Sequence, residues 1–268
     1  MRGWSEVRSG GQVIIHPSAL VDPEAELGEG VEVGPFSCIG GAVRIGARTR
    51  IGARVTIEGR TVIGCDNEIF TGAVIGSPTQ DKKYSGGVTF LRIGDRNKIR
   101  EYVTINPGTK DGTETIIGDG NLLMAYSHVA HDCILQDDTI LANSATLAGH
   151  VIVEDKAIIG GLSAVHQFVR IGKLALIGGC SKVVQDVPPF MIADGHPARV
   201  FGVNNVGLDR AGFSKEEKNA LRKAFKIIFR SGQTLKKALA VLEKTGILSP
   251  SLIALIEFLT SSERGICR

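Results

Sequence analysis

From Ile15 to Val183 every sixth residue is Ile, Leu or Val, and only Asp81, Gly87 and Asp111 break the series. This spacing fits neither the 3.6-residue turn of a helix nor the plain alternation of a two-faced strand. A glycine often follows the aliphatic residue, as at Gly40, Gly46, Gly52, Gly64, Gly172 and Gly178. Four positions after it stands something small or β-branched, among them Ala19, Ala25, Val31, Ser37, Val43, Thr49 and Val55. Short strands broken by turns satisfy this pattern, with one large and one small residue of each repeat pointing inward. The expected fold is therefore mainly β, a parallel β-helix of hexapeptides whose coils pair their backbones at ~4.8 Å. The scarcity of aromatics (5%) beside 34 glycines suits such narrow layers. A hydrophobic share of 43% excludes a disordered chain, and a net charge of +3 is too small to argue for nucleic acid.

The series keeps its phase across both interruptions, so loops near 77–91 and 106–115 are expected to leave the prism and return to it. Pro188 and Pro189 cannot donate to a strand ladder and end the repeat. Ser214 and Glu217 form a capping box, followed by apolar Leu221, Ala224, Phe225, Ile228 and Phe229 at helical spacing. Gly232 and Gly246 suit helix ends, and Pro250 starts a third segment. The expected organisation is an N-terminal extension over 1–13, a β-helix over 14–190 and a small C-terminal helical domain over 191–268. The basic residues of that last part, including Lys215, Lys218, Arg222, Lys223, Lys236 and Lys237, form either a solvated face or a docking surface for an acidic partner. No apolar run reaches the ~18 residues of a membrane helix, nor does the N-terminus carry a signal-like segment. The five cysteines make no CxxC pair. A cytoplasmic protein without stable membrane insertion is expected.

None of the histidines takes an interior repeat position. With three hexads to a coil, residues 18 apart stack, which puts Asp132 under His150 and His131 under Gly149. His131, His150 and His166 then lie along one edge on successive coils. The glycine above His131 leaves room for a substrate and exposes a backbone N–H. A general base beside such a donor is the minimal equipment for acyl transfer. A zinc site is the competing use of stacked histidines, and a non-enzymatic scaffold is the alternative of another class.

The aliphatic-Gly-x-x-small-x pattern resembles the hexapeptide-repeat acyltransferases. The run Asn121 to Cys133, Leu147-Ala-Gly149-His150, Ala164-Val-His166-Gln167-Phe168, Gln185-Asp-Val-Pro-Pro189 and Gly207-Leu-x-Arg210-x-Gly-Phe213 narrow the resemblance to the UDP-N-acetylglucosamine O-acyltransferase family of lipid A biosynthesis. The resemblance implies a left-handed coil and a homotrimer with sites between neighbouring prisms. It also implies a chain in the cytoplasm of a Gram-negative-type bacterium. The implied reaction moves a 3-hydroxyacyl group from acyl carrier protein to the 3-position of the sugar of UDP-N-acetylglucosamine, with no cofactor or metal. His131 matches the general base, Asp132 the residue that orients it, and Gly149 the oxyanion donor. Orientation by a sequence neighbour requires a chain corner at Asp132, because strand alternation would aim the two apart.

Gln80, Asp81, Lys83, His128, His150, His166 and Gln167 match sugar, phosphate and groove contacts, while Asn204 and Arg210 match nucleotide contacts. Gly179 matches the residue that limits acyl length. A glycine there implies a long tail, roughly 12–14 carbons rather than about 10, with Leu174 narrowing the same groove. The zinc-binding members of the repeat class place two ligands five residues apart in one coil, a spacing absent here. Asn106 and Pro107 stand where the family commonly has His-Arg, Val206 where an acid is common, and Ala211 where a second Arg is common. These departures leave open acylation of the 3-amino analogue of the sugar, or of another sugar nucleotide by a related N-acyltransferase.

Overall fold

The structure, a computed structural model, describes residues 11–244 and 249–268. Most of the expected 1–13 extension and the expected helix end at Gly246 lie outside the described residues. Each hexad makes one two-residue strand whose second residue is the repeat aliphatic. In Arg44–Ile45 the arginine faces solvent and the isoleucine is 3% exposed. Three hexads complete a coil, so strands pair in parallel with those 18 residues on, as in Ile134↔Ile152 and Leu135↔Val153. The architecture is a left-handed parallel β-helix with three flat faces. The first face begins at Ile14–Ile15, the second runs from Leu20–Val21 to Lys182–Val183, and the third from Glu26–Leu27 to Arg170–Ile171. One continuous column of aliphatic side chains fills the interior.

Most corners are turned by a residue of left-handed φ three places after the aliphatic one, and many of these are not glycine: Tyr126 (64°), Asp132 (58°), His150 (60°) and Leu174 (54°). The glycines directly after the aliphatic residue serve another purpose. A Cβ on Gly46 would lie 2.5 Å from the carbonyl carbon of Gly64, so only glycine permits the coils to approach.

Two segments leave this frame at one edge, where the second face turns into the third. Residues 76–89 connect Val74–Ile75 to Phe90–Ile93, and residues 106–113 connect Thr104–Ile105 to Glu114–Ile117. Across them the pairing interval stretches, with Ile75 beside Ile105 and Ile105 beside Val129. Asn106, 5% exposed, donates its amide to the carbonyls of Ser77 (3.0 Å) and Pro78 (3.3 Å), so it holds the root of the first loop to the second.

Residues 191–203 differ from the helical expectation. Met191–Gly195 and Ala198–Val203 form an antiparallel hairpin that continues the first face beside Leu176–Ile177. Alternation buries Met191, Ala193, Ala198 and Val200, a bulge in the pairing brings Val203 inward as well, and together they close the end of the column. Helices α1 (Asn205–Arg210), α2 (Lys215–Phe225), α3 (Leu235–Lys244) and α4 (Pro250–Ser261) follow, with the Ser214–Glu217 capping box formed and Ser249 capping α4. No helix among the described residues is long and apolar enough to cross a membrane.

The inward and outward roles within one strand predict opposite mutational outcomes. Ile45→Ala should cost about 2–4 kcal/mol in a urea unfolding experiment. Arg44→Ala removes an exposed ion pair with Glu26 at 3.1 Å and should cost no more than about 1 kcal/mol.

Candidate active site

His131 and Asp132 occupy one corner of the edge from which both loops emerge. Because the chain reverses at Asp132, two sequence neighbours point to the same side. His131 Nδ1 and Asp132 Oδ2 are 2.8 Å apart. The carboxylate is held further by the Thr109 hydroxyl, which donates to Oδ2 at 2.7 Å, while the Asp132 amide donates to Thr115 Oγ1 at 2.8 Å. Burial pushes the Asp132 carboxyl up, but hydrogen bonds, those with His131 and Thr109 foremost, outweigh it and hold the group below its ordinary value.

Gly149 stacks on His131 as the repeat predicts, but the space it leaves is taken by the imidazole itself. A Cβ there would lie 2.5 Å from His131 Nε2. The expected room for substrate at that point is thus corrected: the glycine admits the ring. Among the described residues the Gly149 N–H has no acceptor, whereas the amides of Asp95, Asp119 and Asp137, at the matching place on the third-to-first edge, each donate to a carboxylate.

His150 stands one coil on, its Nε2 3.7 Å from Asp132 Oδ2 and its ring 5.1 Å from that of His131 at 88°. Its other face stacks on Phe168 at 4.5 Å and 7°. His128 lies on the second face with Nδ1 2.7 Å from Thr104 Oγ1. Asp81, carried in by the first loop, places Oδ2 3.7 Å from His131 Nε2. Gln80 and Lys83 flank it in that loop with exposed side chains. His166 and Gln167 lie on the same edge further up the prism, but His166 Nδ1 approaches only its neighbour, Gln167 O, at 3.1 Å. The ring column therefore runs His131–His150–Phe168, without His166.

Asn204 is engaged within its own chain. Its side chain caps α1 by accepting from Gly207 N at 3.0 Å and donates to Leu174 O at 2.8 Å, and the residue is 3% exposed. Arg210 is exposed in the last turn of α1, with Val206 exposed and Ala211 at the C-cap. Gly179 lies on the edge between the first and second faces, eight hexads or ~13 Å along the axis from the level of His131. A Cβ there would meet only Gly161 O, at 3.4 Å. Leu174 does not share that groove. It is 5% exposed at the edge between the third and first faces, and the strand Leu176–Ile177 separates the two positions.

Sequence reasoning missed Thr109. The 24-residue interval from Ile105 to Val129 was the available signal, since it places Gly108 and Thr109 beneath Asp132. Among the described residues, His131, Asp132 and His150 bring ligand atoms within 4.8 Å of one another. Protons already satisfy Asp132 Oδ2, and zinc at ~2 Å from its ligands would have to displace them.

A sequence model described as UDP-N-acetylglucosamine O-acyltransferase, domain 2, matches residues 186–267, and one for the bacterial transferase hexapeptide (six repeats) matches 24–59 and 114–149. Among solved structures the chain is similar to LpxA from Acinetobacter baumannii. The two are 44% identical over 95% of this chain and 100% of that one, with a TM-score of 0.91. It is similar also to a UDP-N-acetylglucosamine O-acyltransferase from Moraxella catarrhalis (41%, 95% and 99%, 0.90). A UDP-N-acetylglucosamine acyltransferase from Bacteroides fragilis gives 41%, 95% and 100%, and 0.92.

The two site histidines predict acid sensitivity. Burial lowers the pKa of His128, and His131 adds to it. Burial also lowers that of His150, where His131 and Lys110 push the same way and outweigh the pull of Asp132 and Asp81. A folded pKa below the unfolded value of ~6.5 means that the unfolded chain binds more protons, so stability is lost as pH falls through that range. The unfolding free energy should drop between about pH 7.5 and 5.5. Replacing both His128 and His150 with Gln should make the drop smaller.

Proposed function

The chain belongs to the UDP-N-acetylglucosamine O-acyltransferase family, which makes it an acyltransferase of lipid A biosynthesis, and we propose that it transfers a 3-hydroxyacyl chain from acyl carrier protein to the 3-hydroxyl of UDP-N-acetylglucosamine. The observation that carries this reading is the corner at which His131, paired with Asp132, lies against a glycine whose N–H has no acceptor among the described residues. A sugar hydroxyl is a poor nucleophile while protonated, and imidazole titrates near neutral pH.

With Nδ1–H given to Asp132, His131 Nε2 takes the proton of the sugar hydroxyl as its oxygen attacks the thioester carbonyl. The Gly149 N–H donates to the oxyanion that forms, a contact absent before attack and therefore catalytic. Collapse breaks the C–S bond, and the imidazolium returns the proton to the carrier thiolate. Asp132 remains a carboxylate throughout and stabilises the transient imidazolium. Asp81, 3.7 Å from Nε2, allows one acceptor hydroxyl to touch both groups. The first loop, with Gln80 and Lys83, receives the sugar nucleotide, and Arg210 supplies a cation for its phosphates. His150 and His128 are neutral neighbours that add no like charge to His131.

One prism offers an edge and not an enclosure, so a nucleotide sugar needs a second wall. A homotrimer in which neighbouring prisms close each site supplies it. The exposed Lys215, Lys223, Lys226, Lys236 and Lys237 carry no ion pair among the described residues and suit an acidic carrier protein in the cytoplasm. The acyl tail runs from His131 along the prism to Gly179, whose missing side chain leaves the path open.

Transfer from hydroxyacyl carrier protein to UDP-N-acetylglucosamine should be measurable with the wild type and fall about 10²–10⁴-fold in His131→Ala. Absence of wild-type transfer to this sugar, with activity on its 3-amino analogue, would reassign the acceptor. Among donors of graded length the wild type should favour chains of roughly 12–14 carbons, and Gly179→Met should shift preference to shorter ones, since each lost methylene contact costs about 0.8 kcal/mol. A wild-type preference for about ten carbons defeats the length assignment.

A further inference from the structure

The second loop meets the site through one side chain. Thr109 donates its hydroxyl to Asp132 Oδ2 at 2.7 Å, and that same oxygen lies 2.8 Å from His131 Nδ1. The Thr109 amide approaches Asp132 Oδ1 at 3.4 Å. The loop that presents Thr109 is itself bolted down. Thr113 Oγ1 accepts from the amides of Thr109 and Lys110, both at 3.1 Å, and donates to Lys110 O at 2.9 Å. Gly108 N donates to Phe90 O at 3.2 Å, and Gly112 N to Val88 O at 2.8 Å, which joins the loop to the first one. A hydroxyl on a rigid loop thus fixes the rotation of the carboxylate that faces the base.

We propose that Thr109 is a positioning residue of the transfer reaction, the outer member of a Thr109–Asp132–His131 chain that keeps the His131 proton on Nδ1 and the Nε2 lone pair toward the acceptor. The inference rests on the acyl-transfer reading above and adds a residue to it. A hydroxyl has one proton to donate, and with that proton on Oδ2 the carboxylate cannot swing away from the ring without losing a charge-assisted bond. His150 Nε2, 3.7 Å from the same oxygen, is too far to replace it. Valine at this position keeps the branched shape of threonine and deletes only the donor.

The test compares Thr109→Val, Thr109→Ser and Thr109→Ala in the full chain. Thr109→Val and Thr109→Ala should lower kcat about tenfold or more, with KM for the sugar nucleotide within about twofold, and Thr109→Ser should restore most of it. In an Asp132→Asn background Thr109→Val should cost nothing further, because the hydroxyl acts only through the carboxylate. Nitrogen-15 NMR of the His131 ring gives an answer without substrate: a single Nδ1–H tautomer in the wild type and a mixture in Thr109→Val. Unchanged kcat in Thr109→Val, no rescue by serine, or an equal loss in the Asp132→Asn background overturns the proposal. Should the wild type fail to transfer any acyl group to this sugar, the function reading falls. The NMR comparison then decides alone, and identical tautomers in wild type and Thr109→Val overturn the proposal.

Discussion

The structure depends on how closely one coil can lie on the next. The backbone of each coil bonds to its neighbour 18 residues away, and glycines such as Gly46 are there because a single methyl group would collide with the carbonyl above. That contact fixes the vertical register of the whole prism. Side chains far apart in sequence become neighbours at a set height, and the corner residues become three vertical lines of side chains. His131, Gly149 and Asp132 meet through this stacking, with no dedicated packing motif to bring them together. Both loops leave from that edge just below them, so the irregular part of the chain is delivered to the one place where chemistry needs it.

The repeat was readable because burial imposes it, with Ile45, Ile51 and Ile57 all inside. Stacking by 18 also put His131 under Gly149 and Asp132 under His150, since the coil is uninterrupted between 117 and 183. The pattern ran out where backbone conformation or loop path decides the outcome. Nothing in the letters His-Asp shows that Asp132 adopts a left-handed φ, since L residues avoid that region unless the surrounding ladder enforces it. Leu174 and Gly179 look adjacent on paper, but a strand between them carries the chain from one prism edge to another. Nothing in the letter Asn shows that the Asn204 amide caps a helix and donates to a carbonyl. Residues 191–203 lack the hexad but alternate over most of their length, and they form a bulged hairpin and not a helix.

Asp132 is the electrostatic centre of the site. It is partly withdrawn from water, which alone would favour its neutral form, yet hydrogen bonds with His131 and Thr109 keep it charged. A carboxylate so held is a fixed negative pole beside the imidazole that, in the proposed reaction, gains and loses a proton. The ring of His150, stacked on Phe168, packs edge-on against that of His131. Polar groups and rings thus share one task, which is to hold a small dipolar arrangement in place.

The two ends of the prism are unequal. Among the described residues the first coil has a neighbour on one side only, and Ile14 and Ile15 remain 47% and 43% exposed. The other end is sealed by the hairpin and the helices, with Asp186 and Cys267 tied by backbone bonds. In a stack whose layers hold only their neighbours, loosening travels as a front from the less covered end. His128 belongs to the sixth of nine strands on the second face, on the sealed side of the midpoint. Several outer coils can therefore fray and re-form beneath the reacting groups before the disturbance reaches them, like rungs lost from the foot of a ladder whose top is bolted to a wall.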